Sequence, residues 1–200
     1  MTNYKNSWKD SVFAFEMQLK VNKKELIQKP PHWDELLFSL SILQKQKDHL
    51  SLLDVGCGCG AIYELIKNTG VKYYGIDYSD KAIQLAKKTW GYDHFYVMDY
   101  EKINIKTDIL YQNGFVDVME NGDEVFEKLL SLRYPYVISQ RMELTDKPSF
   151  YETYTAYDIK TYKFYHNREN LYDLVHKYNY DIVHEKTLAT GLHLCLSLTA

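Results

Sequence analysis

The chain has 200 residues, 46% of them hydrophobic and 26% charged, with a formal charge of −3. That length fits one domain able to bury a core without disulfides. The charge does not suggest a polybasic surface for nucleic-acid backbones, and three cysteines, an odd number, do not make a disulfide framework. No run approaches a membrane span, and the opening residues MTNYKNSWKD lack the apolar core of a signal peptide. These features predict a soluble cytoplasmic protein without nucleic-acid or membrane partners; the oligomeric state is left open. Tyrosine is over-represented at 19 residues, so its meaning depends on where the tyrosines fall.

In chain order, Trp8, Val12, Phe15 and Leu19 repeat at helical spacing, and Pro30-Pro31 interrupts the chain. A second helix carries Trp33, Leu36, Leu37, Leu40 and Leu43 on one side. LSLLDV, residues 50–55, is a short apolar run ending in glycines, the pattern of a buried strand. AIYELIKNTG then reads as a helix with Gly70 as its stop. VKYYGID is a second strand, and SDKAIQLAKKTWG a helix capped by Ser79 or Asp80 and ended by Gly91. HFYVMD and TDILYQNG are strands three and four; DEVFEKLLSL is a helix and YPYVISQ a fifth strand. A helix over NRENLYDLVHKYNY and a closing antiparallel pair, DIVHEKTLA and GLHLCLSL, complete the chain.

Alternating strands and helices predict an α/β fold: a Rossmann-like, seven-stranded, mostly parallel sheet with helices on both faces, an antiparallel last strand and two N-terminal helices. A single domain is expected over 1–200. Residues 1–48 would form a helical cap, 49–140 a cofactor-binding core, 141–167 an aromatic lid and 168–200 the closing helix and strands. The 141–167 stretch is long for a connection and too aromatic for disorder.

Gly56-Cys57-Gly58-Cys59-Gly60 falls between the first strand and its helix, where the chain must turn sharply. Cys-x-Cys is not the usual zinc spacing, and no second ligand pair accompanies it, so no metal is expected. GCGCGA fits the dinucleotide fingerprint, and Asp77 lies 77 − 56 = 21 residues after Gly56, where a ribose-binding acid belongs. Asp54 would be unhelpful beside a pyrophosphate and suits a cationic ligand; Asp99, ending strand three, could accept from an adenine amine. These residues favour another cofactor over a nicotinamide dinucleotide, and little chain remains for a dehydrogenase's substrate domain.

LLDVGCGCG, YYGIDYS and VMDY together resemble the class I S-adenosylmethionine-dependent methyltransferases, over roughly residues 50 to 140. The resemblance implies S-adenosylmethionine as cofactor. It implies that Asp54 helps hold the methionyl ammonium, often through water, and that Gly56, Cys57, Gly58 and Gly60 form the loop at the cofactor. Asp77 would bind the ribose hydroxyls, Tyr78 lie against adenine, Asp99 take the adenine amine and Tyr100 give a backbone contact. More loosely, the whole chain looks like small bacterial methyltransferases whose relatives accompany surface-glycan genes.

Methyl transfer needs an aligned acceptor, exclusion of water and, for a hydroxyl acceptor, a base. Gln112, Asn113 and Tyr111 end strand four, where they would face the methyl donor. Strand four lacks the Asn-Pro-Pro-Tyr type of motif, which argues against adenine or glutamine N-methylation. Arg141 and Glu143 at the rim, with Tyr151 and Tyr154 in the lid, are candidate acceptor contacts. His166, with Glu143, is the candidate catalytic residue. The expected activity is methylation of an oxygen or nitrogen of a small molecule or saccharide precursor; the alternatives are a non-catalytic cofactor-binding module and a nicotinamide-dependent oxidoreductase.

Overall fold

A computed structural model describes residues 8, 9 and 11–199. The first seven residues of the expected cap lie outside them. Helices α1 (Val12–Ile27) and α2 (Pro31–Gln44) precede the sheet, separated by the proline pair. Ser11 caps α1 by accepting from the Ala14 N–H at 3.2 Å. Phe15 and Leu19 are buried as the periodicity predicts, but Val12 faces solvent, at 48% exposure, because the docked face turns toward Ala14.

The core then runs β1 (Ser51–Val55), α3 (Ala61–Ile66), β2 (Lys72–Asp77), α4 (Asp80–Trp90), β3 (Phe95–Val97), β4 (Ile109–Asn113), α5 (Gly122–Ser131) and β5 (Tyr136–Thr145). The end follows as β6 (Phe150–Ala156), β7 (Ile159–Asn167), α6 (Arg168–Lys177), β8 (Tyr180–Leu188) and β9 (Gly191–Leu198). The parallel strands are ordered β3-β2-β1-β4-β5, and antiparallel β9 lies between β5 and β8. Strand alternation divides the apolar side chains between two faces. Leu52, Tyr73, Ile109 and Ile138 pack under α2, α3 and α4. Leu53, Val55, Ile76, Leu110 and Val137 pack under α5 and α6. The result is a helix–sheet–helix sandwich, and no helix of the described residues is long and apolar enough to cross a membrane.

Two expectations need correction. The sheet of the described residues has nine strands, not seven. The stretch from 141 to 167 is no long loop: it contains the end of β5 and the hairpin β6–β7. β5 pairs with β9 through Met142, then with β7 from Glu143 to Thr145. The hairpin turns at Tyr157-Asp158, with φ of 50° and 65°, the geometry of a two-residue type I′ turn usually built from Asn and Gly.

Register aligns the carboxyl ends of the strands. Val55 is level with Gln112, Gln112 with Ser139, and Asn113 with Gln140. Gly56, Gly114 and Arg141 therefore meet at one rim, where β1 and β4 diverge, the place where open α/β sheets bind ligands.

Candidate active site

A cavity of about 860 Å³ occupies that rim. Its crevice side is lined by Val55, Gly56, Gly58, Asp77, Tyr78, Met98, Asp99 and Tyr100. The far side is lined by Asn113, Gly114, Asp117, Arg141, Glu143, Tyr154, Tyr157 and His32. α1 closes it from one direction through Phe15, Gln18, Asn22 and Glu25, and the hairpin closes it from the other. The two covers touch. The Trp8 indole N–H donates to Thr161 Oγ1 at 3.0 Å, and its ring meets Tyr157 edge-on at 6.2 Å.

Asp77 lines the crevice while its carboxylate accepts from the Gly58 N–H at 3.0 Å and the Ser79 N–H at 2.9 Å. The acid thus holds the glycine loop and the start of α4 in place. Burial raises its pKa to about 6, against the pull of those two N–H groups. Gly56 and Gly58 have φ of 72° and 52°, backbone that glycine adopts without strain. Their missing side chains make room for protein neighbours: a Cβ would stand 2.4 Å from the Phe115 ring at Gly56 and 2.5 Å from Gln18 Oε1 at Gly58. Gln18 Oε1 also accepts from the Cys59 N–H at 3.4 Å, so α1 docks on the loop itself.

Several expected contacts are corrected. Asp54 does not line the cavity: it is 3% exposed and accepts from the Tyr73 hydroxyl at 2.8 Å beneath the rim. Burial raises its pKa to about 7. Gly60 packs its bare face on Phe95, and half-buried Cys57, its thiol pKa pushed far up by burial, lies against Gly75; neither lines the cavity. Gln112 is fully buried, and its Oε1 accepts from the Phe115 N–H at 2.9 Å, fixing the turn after β4. Tyr151 turns outward, its hydroxyl 3.3 Å from Glu120, because alternation along β6 sends Tyr154 inward instead.

His166 is the main correction. It is fully buried, off the cavity wall, with Nδ1 2.6 Å from Asp123 and Nε2 3.1 Å from Asp117. Burial pushes its pKa down, but hydrogen bonds to the two carboxylates outweigh it and the net shift is upward. With both ring nitrogens taken by carboxylates, His166 has none left for an acceptor and acts as a strut, not a base. Glu143 does line the cavity, with its carboxylate paired to Lys163 at 3.0 Å. His32, not among the residues singled out from the sequence, lines the cavity at 4% exposure with Nδ1 lacking a partner among the described residues. Burial first, then the Arg141 charge, lowers its pKa to about 4, so the ring is neutral. Its signal in the sequence is its place just after Pro30-Pro31, where α2 begins at the cavity edge.

Comparison with known proteins now bears on the site. A family model described as a methyltransferase domain matches residues 46–183. The chain belongs to this methyltransferase family. A tRNA N(3)-methylcytidine methyltransferase of Schizosaccharomyces pombe is 31% identical over 97 residues, covering 46% of this chain and 30% of that protein. A ribosomal protein L11 methyltransferase of Dictyoglomus turgidum is 30% identical over 111 residues, covering 52% and 37%. The match thus spans about a third of the length of these curated relatives. The crystal structure of magnesium protoporphyrin IX methyltransferase from Synechocystis, with S-adenosylmethionine bound, superposes with a TM-score of 0.61 at 15% identity, covering 99% of this chain and 92% of that one.

The cofactor of this methyltransferase fold is S-adenosylmethionine, and the crevice residues fit it. Asp77 and Asp99 offer carboxylates to hydroxyl and amine donors at the ends of β2 and β3, beside Tyr78 and Tyr100. The charge argument against a dinucleotide rested on Asp54, which lies off the cavity wall; the family match carries that distinction instead.

Proposed function

We propose that this chain transfers a methyl group from S-adenosylmethionine to an oxygen or nitrogen of a small-molecule acceptor, saccharide precursors among them. The observation that carries the reading is the roofed cavity, continuous from the crevice at Asp77 to the far wall at Tyr154 and Arg141. Its volume of about 860 Å³ lies in the range of small-molecule sites. Covers on both sides suit an acceptor that enters whole, and they exclude water from the transfer. The relatives act on acceptors as different as tRNA and a ribosomal protein by their names, so they do not choose the substrate.

The cofactor, when bound, supplies an activated methyl group and its own leaving group. The protein's part is to align the acceptor against it and receive a proton. Tyr154 and Tyr157 offer aromatic faces to an acceptor ring. Neutral His32 lines the cavity, and its buried, unpartnered Nδ1 could accept from the acceptor hydroxyl or amine once the ring turns toward it. α1 and the hairpin act as cap and lid in this reading, while α2 belongs to the core under the sheet, and the catalytic role expected of His166 passes to His32.

The test is transfer of labelled methyl from the cofactor to a panel of saccharides and acidic and basic metabolites, with tRNA and ribosomal protein alongside. Label in a small molecule supports the reading. Label confined to tRNA or protein contradicts the acceptor class. Cofactor binding with no label anywhere favours a non-catalytic binding module.

A further inference from the structure

We propose that the acceptor carries a carboxylate or phosphate group that is bound by Arg141, an anion-reading residue on the far wall of the cavity. This deepens the small-molecule reading and rests on it.

Arg141 is the extra residue of a β-bulge. Gln140 pairs with His193 and Met142 with Leu192, so Arg141 has no partner across the ladder. Its φ is 61°, a left-handed conformation that glycine or asparagine would adopt at lower cost. β9 is shaped to admit it: a Cβ on Gly191 would stand 2.8 Å from the Arg141 carbonyl carbon. Bulges re-aim side chains at the rims of sites. Here Gln140 and Met142 remain buried in the strand while Arg141 leaves the alternation and lines the cavity. Its guanidinium lies beside Gly114, about 3.9 Å from where a Cβ would be, just past the end of β4.

The charge placed there has no carboxylate bonded to it. Arg141 forms no ion pair or side-chain hydrogen bond among the described residues, whereas Lys163, the cavity's other strong cation, is held by Glu143 at 3.0 Å. The neighbouring carboxylates are similarly engaged. Asp117 is bound by His166 and by the Glu143 N–H, and Glu152 receives the Tyr165 hydroxyl at 3.2 Å. Glu25 is close enough for its charge to be felt by Arg141, and burial raises its pKa, but the two side chains form no ion pair among the described residues. The other groups that feel the Arg141 charge, His32, Tyr111, Tyr154 and Tyr157, are uncharged. A guanidinium beside aromatic side chains recognises a planar or tetrahedral anion on a ring-sized body.

The experiment uses the full chain saturated with S-adenosylhomocysteine, titrated by calorimetry with benzoate, phenyl phosphate and the neutral isostere benzamide. The expected result is binding of at least one anion about tenfold or more tighter than benzamide, as charge-assisted contacts give. Arg141→Gln should erase that preference and Arg141→Lys retain part of it, with S-adenosylhomocysteine affinity unchanged in both. The preferred anion tells carboxylate from phosphate. Equal affinity for all three probes, or binding of none, overturns the proposal. So does a preference that survives in Arg141→Gln, or loss of S-adenosylhomocysteine affinity in that variant, which would assign the arginine to the cofactor's carboxylate. Failure of the wild type to bind S-adenosylhomocysteine would instead strike at the methyltransferase reading itself.

Discussion

Replacing His166 by alanine should cost stability rather than chemistry. The ring is fully buried, and its two nitrogens join Asp123 on α5 to Asp117 just before it. β7 is thereby pinned to the segment after β4. Removing the ring strands Asp117, whose side chain is 10% exposed, while Asp123, at 24%, can regain water. Breaking a buried pair by deleting one partner costs about 3–5 kcal/mol. For a chain of this size each kcal/mol lowers Tm by about 2–4 °C, so a drop on the order of 10 °C is expected. The pH dependence has a definite sign. The folded pKa of His166 lies above its unfolded value of about 6.5, so its contribution is whole below that pH and lost as pH rises through the folded pKa. Urea unfolding from pH 5 to 9 should therefore show a decline at the alkaline end for the wild type that the alanine variant lacks. A loss below about 0.5 kcal/mol, the size of an ordinary surface change, would refute the strut. Native stability with abolished transfer would return His166 to catalysis.

Asp54→Asn should keep the Tyr73 hydroxyl bonded, because the amide oxygen still accepts. The wild-type carboxyl, with a folded pKa of about 7 above its unfolded value, loses stability as pH rises from about 4 to about 7. The variant should lack that slope, which reaches at most about 1.4 kcal/mol per pH unit; equal slopes in urea titrations would contradict the buried acid. Trp8→Phe removes the N–H that reaches Thr161 but keeps a ring against Phe15 and Tyr157. S-adenosylhomocysteine should dissociate faster by up to about tenfold, as one lost hydrogen bond implies; an unchanged residence time in stopped flow would contradict the latch.

The central sheet was legible because burial on both faces leaves a plain mark. LSLLDV and TDILYQ are apolar runs with no alternation, as fully covered parallel strands must be. Ser79 and Gly91 bound α4 as their chemistry predicts, Ser79 accepting from the Ala82 N–H and Gly91 taking a φ of 61°. The hairpin was hidden for a local reason. Its turn is Tyr157-Asp158, without the Asn or Gly that marks a type I′ turn, so β6 and β7 read as one long connection. In the site, strand-end position pointed to Asp77, Asp99, Asn113 and Arg141, which all line the cavity because rim residues follow from strand limits. It could not show that Asp54 lies beneath the rim, because whether a strand-end acid faces the cavity or the core depends on Tyr73 on the neighbouring strand. It misassigned His166 because the deciding partners are 49 and 43 residues away.

Calorimetric titration of the purified chain with S-adenosylhomocysteine, beside Asp77→Asn, tests the account most directly. Asp77 holds the Gly58 and Ser79 amides and lines the crevice, and the asparagine keeps only one acceptor oxygen. One molecule should bind per wild-type chain, with affinity lower by about tenfold or more in the variant, as loss of a charged hydrogen-bond partner implies. No binding by the wild type, uptake of a nicotinamide dinucleotide instead, or equal affinity in Asp77→Asn would contradict it.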